Sequence, residues 1–383
     1  MKTVQAHLKP KSNADQELKK VAEINPQLVL VFGAHEAFAK GGVANEITKY
    51  FGSSLVIGCS TAGEIANGGV YDNSVVVTGT RFENPQFRPA WCEIKTMAET
   101  EEAGRAFAMK LEKKDLKAIF LLGRGLEING SALIQGVRDI VGPDVVITGG
   151  LAGDGGRFQQ TFTLLNGEIS DSRIVGFGIY GDSVSISYGS LGGWEPFGPI
   201  RRVTRSKQNV LYELDGKPAL EIYKKYLGDK AKELPSSGLL FPFALLKDNQ
   251  DNSGIIRTIL AVDEKEQSVT FAGDIPMNGL VRLMHANNDG IIGGAKGAAE
   301  LAAQSAPAAD KNALGILISC VGRKLVLGAD VDEELDAVKN VFGNGTVTGF
   351  YSYGEICPQS GFSECKLHNQ TMTITYLTEK KAA

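Results

Sequence analysis

Three short stretches of the sequence place a carboxylate immediately behind a glycine turn. Gly58-Cys-Ser-Thr-Ala-Gly-Glu64 and Gly349-Phe-Tyr-Ser-Tyr-Gly-Glu355 share one pattern: glycine, four residues, then Gly-Glu-Ile. Thr148-Gly-Gly-Leu-Ala-Gly-Asp154 is a weaker relative. Glycine at a strand end permits positive φ and close backbone approach. A carboxylate behind such a turn has two uses: it accepts local backbone N–H groups and fixes the turn, or it meets a ligand. Any one corner read alone favours turn fixing. Three in one chain shift the balance towards a shared crevice at strand ends, where α/β sheets place their ligands.

In such a crevice Glu64, Asp154 and Glu355 are candidates to hold a ligand ammonium group or to act as an acid–base set. Arg157 is suited to a carboxylate, which its guanidinium takes bidentately. Cys59, Ser60, Thr61, Gly63 and Gly150 belong to the same corners. Tyr351 and Tyr353 alternate along a strand, so both rings fall on one face. The competing reading is a hydrolase with Cys59 or Ser60 as nucleophile. That chemistry needs a base and an orienting group. The Gly-x-Ser-x-Gly elbow is absent, because Ser60 is followed by Thr61-Ala-Gly63. No catalytic constellation is evident, and a non-enzyme is expected. Gly176-Phe-Gly-Ile-Tyr-Gly181 fits a phosphate-loop pattern, but an alternating strand follows where a helix N-terminus is required.

The elements that position these residues follow from composition and periodicity. A chain of 383 residues predicts two or three domains. With 40 basic against 44 acidic residues the net charge is −4, so neither nucleic acid nor an anionic membrane is an expected partner. No apolar run approaches the ~20 residues that span a bilayer. The start of the chain lacks the pattern of a secretory signal. Five scattered cysteines do not form a disulfide framework. A reduced, cytoplasmic setting is expected. Apolar strands are predicted at 28–32, 54–59, 118–122, 145–148, 313–320 and 346–350, with amphipathic helices between them. Asn166-Gly167 and Gly181-Asp182 read as hairpin turns. The fold expected is α/β: two domains with mixed β-sheets covered by helices and an internal pseudo-symmetry, the boundary falling within 188–226.

The motifs together resemble the FIST family, a FIST N domain followed by a FIST C domain. The resembling stretches are Val56-Ile-Gly-Cys-Ser-Thr-Ala-Gly-Glu-Ile65, Ile147-Thr-Gly-Gly-Leu-Ala-Gly-Asp154 and Glu213-Leu-Asp-Gly-Lys-Pro-Ala-Leu-Glu221. They continue with Phe271-Ala-Gly-Asp-Ile-Pro276, Ser319-Cys-Val-Gly-Arg-Lys324, Gly349-Phe-Tyr-Ser-Tyr-Gly-Glu-Ile356 and His368-Asn-Gln-Thr371. The resemblance implies domains at 1–205 and 206–383. It also implies a cytoplasmic small-ligand sensor in signal transduction, with amino acids among the suggested ligands. Some stand-alone members are proposed haem-dependent nitric oxide sensors that regulate a partner histidine kinase, and the layout is similar. A lone sensor is expected to act on a separate signalling protein of that kind. Haem requires an axial ligand, usually His, Cys or Tyr. The candidates are His35, His285, His368 and Cys357, the last in a Cys357-Pro358 pair; His7 lies near a terminus. Cys357, Cys365 and His368 lack the paired spacing of a zinc site.

Overall fold

The computed structural model describes residues 1–9, 12–39, 42–234, 236–248, 255–304, 306, 313–358 and 365–379. One unit recurs three times. Two parallel strands are joined through a helix, and a third strand returns antiparallel beside the first. In the first unit Leu28–Gly33 pairs with Leu55–Ser60, and Val75–Arg81 returns. In the second, Leu116–Gly123 pairs with Val146–Leu151, and Arg173–Tyr180 returns. In the third, Leu314–Cys320 pairs with Thr346–Ser352, and Met372–Glu379 returns. The expected pseudo-symmetry is therefore threefold, and the weaker motif at 148–154 is its third copy. It reads as weaker because its corner is one residue shorter: Asp154 follows Gly149 by five positions, whereas Glu64 follows Gly58 by six.

The units are interlocked by exchange. After its second strand each unit sends a hairpin to a neighbour's sheet. Glu64–Ala66 and Gly69–Tyr71 pair onto Thr346–Ser352 of the third unit. Thr163–Leu165 and Glu168–Ser170 pair onto Leu55–Ser60 of the first. Gly354–Pro358 and Cys365–His368 pair onto Val146–Leu151 of the second. The cycle closes, and each unit's sheet has six strands. Gly58, Gly149 and Gly349 are structural equivalents. A Cβ on them would lie 2.0, 1.8 and 1.8 Å from the carbonyl oxygens of Val31, Leu121 and Leu317 on the neighbouring parallel strand. No side chain fits there.

The period of two along each strand supplies two apolar faces. The inner faces of the three sheets share one core, with Leu30, Phe32, Phe120, Phe177, Ile316 and Phe350 among its residues. The outer faces carry helices: Ala14–Ala22 and Gly42–Phe51 on the first sheet, Thr100–Met109 and Gly130–Val141 on the second, Asn288–Gln304 and Val331–Phe342 on the third. Burial on both sides explains why the central strands read as unbroken apolar runs. The turn at Gly181-Asp182 corrects an expectation. It joins Arg173–Tyr180 to Val184–Leu191, but the latter pairs with Met372–Glu379, so the turn passes between sheets and closes no hairpin. The turn residues fix a bend; they do not choose the pairing partner.

A second domain forms an eight-stranded sheet between Glu195–Lys207 and Leu280–His285. It has its own core, including Val203, Tyr223, Phe243 and Phe271. Its two connections to the body touch, for a Cβ on Gly193 would lie 1.9 Å from the Gly290 carbonyl oxygen. The fold is thus α/β with mixed sheets covered by helices. Among the described residues no helix is long and apolar enough to cross a membrane.

Candidate functional site

The three corners are the points where the chain leaves one sheet for the next, so the exchange brings them together. Ala62 N donates to Tyr351 O and Tyr351 N to Gly63 O, both at 2.8 Å. Gly153 N donates to Ser60 O at 2.9 Å and Gly155 N to Thr61 O at 3.0 Å. Tyr353 N donates to Leu151 O at 3.2 Å. Each corner is bonded to the other two.

The corner carboxylates, however, are spent locally. Glu64 accepts from the hydroxyl of Thr61 at 2.6 Å, and from the hydroxyl and backbone N–H of Ser74 at 2.7 and 3.1 Å. Glu355 repeats the arrangement, accepting from the Ser352 hydroxyl at 2.6 Å and from Thr371 N at 3.3 Å. Asp154 accepts from the backbone N–H groups of Phe158, Gln159 and Gln160 at 2.9, 2.7 and 3.0 Å, and from the Tyr353 hydroxyl. All three are buried. Burial pushes Glu64 up to about 7 and Glu355 up to about 8. Burial also acts to raise Asp154, but the hydrogen bonds from Tyr353 and the three N–H groups outweigh it and hold that carboxyl below its ordinary value. These groups fix turns, and Asp154 and Glu64 also lie on the walls of clefts.

The other expected residues divide. The Ser60 hydroxyl donates to Gly153 O at 2.7 Å and accepts from Phe162 N at 2.8 Å, so it ties two corners together. Cys59 is buried and burial pushes its thiol well up, the opposite of an activated nucleophile. Gly150 packs on Ile318, where a Cβ would meet Cγ2 at 2.8 Å. Tyr351 is buried, and its hydroxyl donates to Glu334 at 2.7 Å. Tyr353 stacks on Phe158 with ring centroids 4.4 Å apart. Thr61, Gly63 and Arg157 border open space.

Among the described residues that space includes two clefts flanking the corners. One, of about 660 Å³, lies between the first unit, at His35, and the second, at Arg124 and Glu127; the 154–161 segment and Asp171 complete it. The other, of about 540 Å³, lies between the first unit, at His35 and Glu36, and the third, at Lys324, with Gly63 and Asp72 on its wall. His35 and Arg157 line both. Arg157 Nε donates to Asp154 O at 2.7 Å while the guanidinium pairs with Glu36. Lys324 donates to Ala62 O at 3.0 Å and pairs with Asp72. Arg124 pairs with Glu127 at 2.7 Å. Two buried nitrogens, Nδ1 of His35 and Nε of Arg124, have no hydrogen-bond partner among the described residues.

Arg124, Glu127 and Lys324 were not among the residues expected from sequence. Each lies just beyond the carboxyl end of its unit's first parallel strand, as His35 does beyond Gly33. Aligning all three units would have exposed that equivalence.

The four candidate haem ligands do not gather. The Cys357 thiol is buried, 3.8 Å from Gly189 O, and burial pushes its pKa well up. His368 Nε2 lies 3.0 Å from Cys357 O, and burial pushes the imidazole down to about 4. Both are occupied inside the protein and do not fit an iron. His285 lies on the eight-stranded domain, with its ring 5.3 Å from that of Phe197. His35, packed on Phe162 at 5.1 Å, is the candidate that faces a cleft. Among the described residues no group of three or more His, Cys, Asp or Glu side chains could hold a metal ion.

Comparison with known proteins gives this arrangement a context. Residues 27–217 match the FIST N domain and residues 219–358 the FIST C domain. An uncharacterised protein of Methanocaldococcus jannaschii is 31% identical over 187 residues, covering 46% of this chain and 36% of its own length. An uncharacterised protein found in two Mycobacterium tuberculosis strains is 24% identical over 243 residues, covering 62% of each chain. The chain thus spans about a third of the first relative and about three fifths of the second. A cyanuric acid hydrolase from A. caulinodans aligns over 99% of both chains at 7% identity and a TM-score of 0.37, a likeness too low to carry an argument.

Proposed function

Because the chain belongs to the FIST family of signal-transduction sensor domains, we propose that it is a cytoplasmic sensor of a small zwitterion, an amino acid, bound in the clefts beside the three corners. The observation that carries this reading is the pair of buried, unsatisfied nitrogens on His35 and Arg124, on two units that face one cleft. Buried polar atoms ordinarily have partners. A carboxylate beside Arg124 and Arg157 would supply acceptors, and Glu127 or Asp171 on the same walls would take the ammonium. The ion pairs now made by Arg157 and Arg124 involve exposed carboxylates. Such pairs are worth about 0–1 kcal/mol, so a ligand displaces them at small cost.

Binding acts as a signal only if the ligand prefers one of two states. Lys324 lines the second cleft, and its neighbour Arg323 is buried and donates to the carbonyls of Gly192 and Ile291, where the chain enters and leaves the eight-stranded domain. A shift at Lys324 is thereby passed to that domain's attachment, and through it to a separate signalling protein such as a histidine kinase. The engaged Ser60 and the protonated Cys59 supply no catalytic step, so the reading is of a non-enzyme. A haem-based nitric oxide sensor is the second reading, resting on His35. It requires a Soret band in haem-loaded protein that moves with nitric oxide and is lost in His35→Ala.

The test of the first reading is a thermal-shift panel of amino acids on the wild type, Arg157→Ala and His35→Ala. A concentration-dependent rise in Tm in the wild type, reduced about tenfold in apparent affinity in each variant, is expected. A panel in which no member shifts the wild-type Tm would overturn it.

A further inference from the structure

A different cavity, of about 290 Å³, lies where the eight-stranded domain meets the second unit. Its centre of interest is Arg257, at the end of Ile255–Arg257, which is 5% exposed. Among the described residues the guanidinium donates to backbone carbonyls alone: from Nη1 to Leu367 O at 3.1 Å and Ile256 O at 3.2 Å, and from Nε to Asp274 O at 3.4 Å. No carboxylate among the described residues forms an ion pair with it. Gly273 is shaped to it, because a Cβ there would lie 2.8 Å from Nε and 3.0 Å from Cζ. The motif Phe271-Ala-Gly-Asp-Ile-Pro276 is therefore the seat of this arginine.

Asp274 lies on the same wall and favours the charge of Arg257, but makes no ion pair with it, and a buried cation left without an ion pair is costly, by several kcal/mol even after relaxation. Burial pulls the Arg257 pKa down to about 10, so the site strains against its own charge. Beside the guanidinium the cavity wall carries Ile134, Leu245, Ile255 and Pro276, which suit an apolar body, together with Arg138 and Lys366. We propose that this cavity binds a small monocarboxylate with an apolar body, an oxygen of which accepts from Nη2 of Arg257, the nitrogen not engaged on those backbone carbonyls. A charged N–H to a carboxylate oxygen is stronger than a hydrogen bond between neutral groups. Asp274 shares the wall with Arg138 and Lys366, so the apolar part of the lining, not charge, is what sets such an acid apart from inorganic phosphate. The volume is about twice that of an apolar cavity able to take benzene, ~150 Å³. The site is separate from the clefts at the corners, so its fate leaves the sensor reading untouched.

The test is calorimetric titration of the full chain with benzoate and hexanoate, with benzamide as the neutral isostere and inorganic phosphate as the dianion. Saturable binding of an acid, with none for benzamide or phosphate, is expected. Arg257→Gln should weaken it by about tenfold or more. Leu245→Trp, which fills the cavity while leaving the guanidinium in place, should abolish it and guards against a simple folding defect in the first variant. No saturable binding of either acid, equal binding of benzamide, preference for phosphate, or undiminished binding in Leu245→Trp would each overturn the assignment. In the first case Arg257 is only a bolt between domain and body.

Discussion

Glu355 and Glu64 are carboxyls whose protonated forms the fold prefers. In an unfolded chain a glutamate ionises near pH ~4.3, whereas here the values are pushed up to about 8 and about 7. Their contribution to stability is therefore fully present below the unfolded value and is lost as pH rises through the folded ones. Asp154, held low, acts in the opposite sense: its contribution is lost as pH falls through its folded value. Wild-type Tm is expected to decline between pH 5 and 8, and Glu355→Gln to decline less over the upper part of that range. Parallel Tm–pH curves for the two proteins would contradict the assignment. Gly349 gives a second prediction. Ala at that position places a methyl against Leu317 O, and a loss of about 3 kcal/mol or more is expected in urea unfolding. At this scale the sequence displayed the corner carboxylates but not their role. Thr61 and Ser352 stand three residues before each glutamate, and Ser74 and Thr371 lie further on. Those partners satisfy the carboxylates, and only the Thr/Ser-x-x-Glu spacing hinted at it.

Among the elements, the helix Val321–Leu327 and the helix Val331–Phe342 are joined by a buried pair, Arg323 and Glu334, both fully enclosed. Glu334 also accepts from Tyr351 of the third corner, so corner, helices and domain connections share one network. Removing one partner of a buried pair costs about 3–5 kcal/mol, because the other charge is left alone. Glu334→Gln should lose about that much stability, and hydrogen exchange should accelerate at the Gly192 and Ile291 connections. A variant that loses stability with unchanged exchange there would break the link between the pair and the domain attachment. Element types were legible from period and turn chemistry: apolar strands alternate with amphipathic helices, and Asn166-Gly167 does close a hairpin. Pairing partners were not. The exchanged hairpins dock on strands far along the chain, and nothing local in Glu64–Ala66 specifies Thr346–Ser352 as its neighbour.

For the whole molecule, threefold exchange explains both the repetition and its concealment. Each unit completes its neighbour's sheet, so the units diverge in sequence while their geometry is held by the shared inner core. The eight-stranded domain, by contrast, enters and leaves at adjoining glycines, the arrangement that allows a domain to be inserted or removed. Replacing residues 195–287 with a short Gly/Ser linker should leave a soluble body that unfolds cooperatively. Aggregation or a non-cooperative transition would show that the body depends on the inserted sheet. The central claim remains that the joined corners present clefts whose unsatisfied nitrogens await a small guest. Its most direct measurement is nitrogen NMR of the Arg124 Nε–H and the His35 ring during titration with an amino acid that raises the Tm. Saturable shifts at both, abolished in Arg157→Ala, are predicted. Stabilisation by that amino acid with both signals unmoved would contradict the account.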